Sequence, residues 1–143
     1  MSSTTRSRLS AITNQLRSAS TMKEAVVAKG PKVQIINSEI PTPGPNQVVT
    51  KVVFSGCNPK DWKRPEFMPD AAPVNQGDDI SGIVHAVGAN VSEFKPGDRV
   101  AAFHEMMKPG GSYAEYALSW AHTTFYLPKN TSFEGKSSAP KAS

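Results

Sequence analysis

Apolar and polar positions alternate most regularly between Gly77 and Val100, in GDDISGIVHAVGANVSEFKPGDRV. Ile80, Gly82, Val84, Ala86 and Gly88 fall on one parity and Ser81, Ile83, His85 and Val87 on the other, and Gly88-Ala89-Asn90 supplies a turn. That pattern predicts a β-hairpin. Lys95-Pro96-Gly97-Asp98 is a second turn signal, with proline where a φ of about −65° is wanted and glycine where φ is positive; Arg99 to Phe103 then resumes an apolar run. Two reversals in so short a span predict a meander.

Upstream, Ala25 to Ala28, Val33 to Ser38 and Gln47 to Phe54 read as short strands, separated by Gly30-Pro31 and by Pro41-Thr42-Pro43-Gly44-Pro45-Asn46. The proline-rich stretch is read as a connector between strands rather than as a ligand for a polyproline-binding module. Lys60 to Glu66 predicts about one helical turn after an Asn58 cap, interrupted by Pro65 and Pro69. Met68 to Gln76 and Met106 to Gly111 read as loops, Ser112 to Leu118 alternates as a strand, and Thr123 to Leu127 makes a last short one. Short strands punctuated by proline and glycine, with no room for a crossover helix, predict a mainly β barrel or sandwich.

The length of 143 residues and the 38% hydrophobic content fit one globular domain. The single cysteine, Cys57, excludes an internal disulfide and a four-cysteine structural zinc lobe. The net charge of +4 lies in the two ends: residues 1–22 carry Arg6, Arg8 and Arg17 with no acid, and Lys129, Lys136 and Lys141 oppose only Glu134 at the other end. A near-neutral centre argues against nucleic acid as a partner. No apolar run approaches the ~20 residues of a membrane span, so no membrane partner is expected.

Residues 1–22 are rich in serine, threonine and arginine, and Leu9, Ile12 and Leu16 share one helical face. They read either as a mitochondrial presequence or as a disordered extension before Met22; the compartment is read as cytoplasmic, with the mitochondrion as the alternative.

The central motif closing on Gly97-Asp98-Arg99-Val100 resembles the hairpin of the GroES-like catalytic domain in the medium-chain dehydrogenase/reductase superfamily. Gly56-Cys57-Asn58-Pro59-Lys60-Asp61-Trp62-Lys63 upstream and Gly110-Gly111-Ser112-Tyr113-Ala114-Glu115-Tyr116 downstream follow the order and spacing of that family. The resemblance implies a GroES-like, partly open β-barrel over residues 23–129 with one or two short helices. Residues 1–22 then form an extension and residues 130–143 a disordered tail.

Zinc-dependent members hold their metal with the cysteine of Gly-x-Cys-x-x-Asp and the histidine of Gly-His-Glu. Asn58 stands at the first position and Asp78 at the second, so no catalytic zinc is expected. The sequence resembles instead the zinc-independent quinone oxidoreductase and enoyl reductase branch, which carries Asn-Pro-x-Asp-x-Lys. That resemblance implies NADPH as cofactor, a quinone or α,β-unsaturated carbonyl as substrate, and Asn58, Asp61, Trp62 and Lys63 facing the cofactor. Lys63 is the candidate catalytic cation, or a grip on the cofactor's phosphate or ribose. His85, His104 and His122 read as surface or strand residues and Cys57 as a small packed side chain. Tyr113 and Tyr116, three apart on one strand, point to opposite faces.

The ten glycines include no pair two residues apart, so even the start of a Gly-x-Gly pyrophosphate turn is absent. In the family a Rossmann domain follows the equivalent of Lys129. This chain therefore reads as the catalytic-domain portion, truncated before that domain and inactive alone. An exposed docking face, weak stability and association with a copy of itself or with a separate cofactor-domain chain are expected. The alternative is a GroES-like binding module that has lost catalysis and uses that face for a partner protein.

Overall fold

The computed structural model describes residues 21–30, 32–67 and 73–134. The expectations for residues 1–20 and 135–143 lie outside these. β1 (Thr21–Ala28) and β2 (Lys32–Glu39) form an antiparallel hairpin turned at Gly30, where φ is 80°. β3 (Gln47–Gly56), β4 (Asp79–Val87), β5 (Arg99–Phe103), β6 (Tyr116–Trp120) and β7 (Thr124–Tyr126) form a curled antiparallel sheet in the order β6-β3-β4-β5-β7. A helix, α1 (Pro59–Phe67), lies between β3 and β4, and a 3-10 turn (Ala121–Thr123) precedes β7. The hairpin is fastened to the sheet's far loop by Ala25 N–H to Tyr113 O at 2.8 Å and Glu115 N–H to Lys23 O at 3.1 Å. The architecture is mainly β, as the spacing of short apolar runs predicts.

The meander is not formed. β4 and β5 pair directly, from Asp79↔Phe103 to Ile83↔Arg99, and residues 88–98 are a single loop. Val91 and Phe94 in that loop both turn inward, packing with Val48, Val84 and Val100, whereas a strand would have sent alternate residues out. The loop's amides find partners in another connector: Gly88 N–H bonds to Gln47 O and Asn90 N–H to Pro45 O, each at 2.8 Å. The second turn forms as expected, with Gly97 at φ 96°.

Three other elements differ from expectation. The expected strand at Ser112 starts only at Tyr116, because Ser112 to Glu115 spend their hydrogen bonds on Gly77, β1 and β3. α1 runs nine residues and passes Pro65, which lies in its last turn, forgoes one bond to the Asp61 carbonyl and is buried. The boundary expected at Lys129 is also crossed. The Arg99 guanidinium donates to the carbonyls of Pro128, Lys129 and Thr131 at 3.1, 2.8 and 2.6 Å and lies 4.4 Å from the Phe133 ring centroid, while Ser81 Oγ donates to Phe133 O at 2.9 Å. Residues 130–133 are thus part of the packed domain.

β4 is the central strand, and it is buried from Asp79 to Gly82. A second apolar cluster of Ile80, Ala102 and Ala117, with Val52 against it, lies beside the first. Gly82 faces a place where β3 shifts register, and a Cβ there would stand 2.1 Å from the Lys51 carbonyl oxygen. Because backbone cannot yield as a side chain can, Gly82→Ala is expected to cost about 2–3 kcal/mol, measured as a lower urea midpoint at unchanged slope.

Candidate functional site

The site begins where β3 ends. Pro59 takes the first helical position, where its missing N–H costs nothing. Asp61, two residues on, turns its carboxylate back to accept the Asn58 N–H at 2.9 Å, so the helix is capped from inside. This frees the Asn58 amide, which donates from Nδ2 to Asp79 Oδ2 at 2.8 Å instead of capping α1. Asp61 also accepts the Tyr113 hydroxyl at 2.5 Å and lies 2.6 Å from the Lys60 ammonium.

Lys60 is the centre of the cluster. Its Nζ lies 2.6 Å from Asp61 Oδ1, from Asp78 Oδ2 and from the Gln76 carbonyl. Asp78 is 2% exposed, and its other oxygen lies 3.1 Å from His104 Nδ1. His104 Nε2 lies 3.1 Å from the Pro109 carbonyl. A carbonyl only accepts, so Nε2 is the donor to Pro109, while Nδ1 faces the Asp78 carboxylate. Burial disfavours the charged form of Asp78, but the contacts with His104 and Lys60 outweigh it and hold its pKa below the ordinary carboxylate value.

Trp62 and Lys63 stand on the other side of α1, both exposed, with Lys63 Nζ 5.3 Å from the indole centroid. The four residues expected to face a cofactor therefore divide. Trp62 and Lys63 reach solvent, Asn58 is half-buried with its amide engaged by Asp79, and Asp61 is 9% exposed with both oxygens committed inside. Among the described residues Lys63 has no carboxylate partner. Tyr113 also lines an apolar cleft of about 420 Å³ between the β1–β2 hairpin and β3, walled by Ala25, Ile35, Val52 and Val53.

Three residues depart from their sequence reading. His104 is neither a surface nor a strand histidine; it is 2% exposed just past β5 and bonded at both nitrogens. His85 and His122 keep to the expectation, on β4 and on the exposed 3-10 turn. Cys57 is exposed rather than packed, because the chain is turning out of β3 into α1 there. Tyr113 lies outside any strand and reaches α1; burial first, then Asp61 and Cys57, push its phenol far above the usual tyrosine range, so it stays a hydroxyl donor. Its partner Asp61 is 52 positions away, and only the flanking Gly110-Gly111 pair marked the segment as one where backbones meet. Lys60 was missed as well, because a lysine beside an acid in a polar loop carries no mark of burial.

A divalent metal does not fit these residues. The thiolate position holds Asn58, whose amide is engaged, and a metal ion beside Asp78 would meet the Lys60 ammonium at bonding distance. Among the described residues no group of three or more His, Cys, Asp or Glu side chains is arranged to hold a metal.

A mainly β domain built on this curled sheet defines the class as the GroES-like domain of a medium-chain dehydrogenase or reductase. The chain belongs to the alcohol dehydrogenase GroES-like domain family, matched over residues 44–129. It is 58% identical over 135 residues to the trans-enoyl reductase fsr4 of Gibberella fujikuroi, covering 94% of this chain and 40% of that protein. It is 41% identical over 110 residues to the quinone oxidoreductase of Sus scrofa, covering 73% of this chain and 32% of that one. Among solved structures, the quinone oxidoreductase from Coxiella burnetii superposes with a TM-score of 0.72 at 25% identity, over 79% of this chain and 39% of that one. The chain thus spans about two fifths or less of the length of these relatives.

Two measurements test the cluster. The lowered Asp78 pKa contributes stability that is fully present above the ordinary value of 3.8 and is lost as pH falls through the folded value. Asp78→Asn is therefore expected to flatten the acid limb of the unfolding midpoint plotted against pH, at lower stability throughout the neutral range. Tyr113→Phe removes a donor from an inward carboxylate and is expected to cost about 1–3 kcal/mol in urea unfolding.

Proposed function

We propose that this chain is the catalytic-domain portion of an NADPH-dependent oxidoreductase that reduces quinones or α,β-unsaturated carbonyls. The observation that carries this reading is the 58% identity to a trans-enoyl reductase across 94% of the chain. The named relatives are oxidoreductases, which weighs for the catalytic reading over the non-catalytic binding module.

Trp62 and Lys63 form the cofactor face in this reading. An exposed indole offers a flat apolar surface, and an ammonium without a carboxylate partner among the described residues suits a ribose or phosphate. Asn58 stands beside them at the start of α1, and Asp61 serves by holding Asn58 and Tyr113 in place rather than by touching the cofactor. When bound, NADPH supplies a hydride to the conjugated carbonyl, which moves negative charge to the substrate oxygen. Lys63 is the candidate to meet that charge; one fixed donor there is worth ~3 kcal/mol of barrier. The chain alone is expected to bind NADPH weakly and to turn over little, since its sequence carries no Gly-x-Gly pyrophosphate turn.

The two tryptophans allow a direct test. In a nitrogen-labelled sample, NADPH is expected to shift the Trp62 indole resonance and leave Trp120 in place, with the response weakened severalfold in Lys63→Ala. A folded chain whose Trp62 signal does not move at saturating NADPH would overturn the cofactor face.

A further inference from the structure

α1 is held in an unusual way for a helix on a β domain. Its buried residues are Asp61 and Pro65, while Trp62 is 55% and Phe67 79% exposed, so the helix places no large apolar side chain in the core. A nine-residue helix is marginal by itself and is ordinarily fixed by an apolar stripe. Here the fixing is done by polar contacts. Asn58 reaches Asp79, Asp61 reaches Tyr113, Arg64 donates to Gln76 at 3.3 Å, and Lys60 joins Asp61, Gln76 and Asp78.

Lys60 differs from the rest of that set. Its ammonium donates to Asp61 Oδ1 and to the Gln76 carbonyl and stands 2.6 Å from Asp78 Oδ2 as an ion pair. Two of its three N–H groups and its charge are thus committed inward, which suits attachment rather than service to a substrate oxygen. One of those oxygens belongs to α1 and two to the segment running into β4, so the ammonium fixes the helix against the central strand.

We propose that Lys60 is the positioning residue of the cofactor face: its ammonium clasps α1 to the segment before β4 and thereby sets where Asn58, Trp62 and Lys63 stand. The proposal rests on the cofactor face described above, and it differs from that reading in assigning the decisive lysine to a place that touches neither cofactor nor substrate. Without the ammonium, Asp61 and Asp78 lose the cation they share, and Pro65 is the one buried apolar residue α1 has to hold its register.

The test uses Lys60→Met, Lys60→Arg, and Lys60→Met combined with Asp78→Asn, each compared with the parent chain for thermal midpoint, for NADPH response at the Trp62 indole, and for hydrogen exchange of the Asn58 side-chain amide. Lys60→Met is expected to weaken the NADPH response by about tenfold or more and to speed exchange at Asn58, because a displacement of about an ångström suffices for losses of that size. Lys60→Arg restores both in part. The combined variant, relieved of its excess negative charge, regains thermal midpoint without regaining the NADPH response. A response in Lys60→Met equal to the parent's, or one that simply follows the thermal midpoint across the variants, overturns the proposal. If the parent chain itself shows no NADPH response, the proposed function falls, and Asn58 decides alone: exchange unchanged in Lys60→Met then overturns the clasp as well.

Discussion

The structure depends on compensating charge at the end of its sheet. Asp61 and Asp78 are withdrawn from water beside the start of α1, and removing one ion from water costs several kcal/mol unless partners complete its coordination. Lys60 and His104 supply that completion, one from the helix and one from just past β5. Since α1 buries almost nothing apolar, this electrostatic balance takes the place of a hydrophobic contact in attaching the helix. The helix that carries the proposed cofactor face is thus the one whose attachment rests on charge.

A second polar centre ties that region to the rest of the domain. Asn75, 8% exposed, accepts the Gly77 and Tyr113 amides at 3.0 and 3.2 Å and donates to Gly111 O and Glu24 Oε1 at 3.0 and 3.1 Å. Its amide uses its full capacity of two donors and two acceptor sites. The contact requires Gly111, where a Cβ would lie 2.6 Å from Asn75 Oδ1. Through this one side chain β1, the segment before β4 and the Tyr113 loop are held in one arrangement, so Tyr113 meets Asp61 from a fixed direction.

The sheet was legible because its information is local. Alternation in β4 and the Lys95-Pro96-Gly97-Asp98 turn act over a few residues, and the strands formed there and in β3 and β5 follow the pattern. The loop of residues 88–98 misled because two turn signals in one short span read as a meander, whereas the core beyond them decides that Val91 and Phe94 both face inward. The polar cluster was hidden for a related reason. Lys60 meets Asp78 and Tyr113 meets Asp61 across long sequence separations, and His104 is buried only because Asp78 and the Pro109 carbonyl surround it. The motif around Asn58 pointed to this stretch, yet which of its side chains reach solvent and which turn inward is fixed by partners elsewhere in the chain.

The grip of Arg99 on the segment after β7 carries a mechanical implication. β7 is a three-residue edge strand held by three paired positions, and a pull directed along it would open the sheet one pair at a time, like a zipper. Tension on the chain at Phe133 does not arrive there. It passes first through the Arg99 side chain and Ser81 into β5 and β4, which are paired over five positions. The three-residue β7 is thereby spared tension that arrives from the Phe133 side.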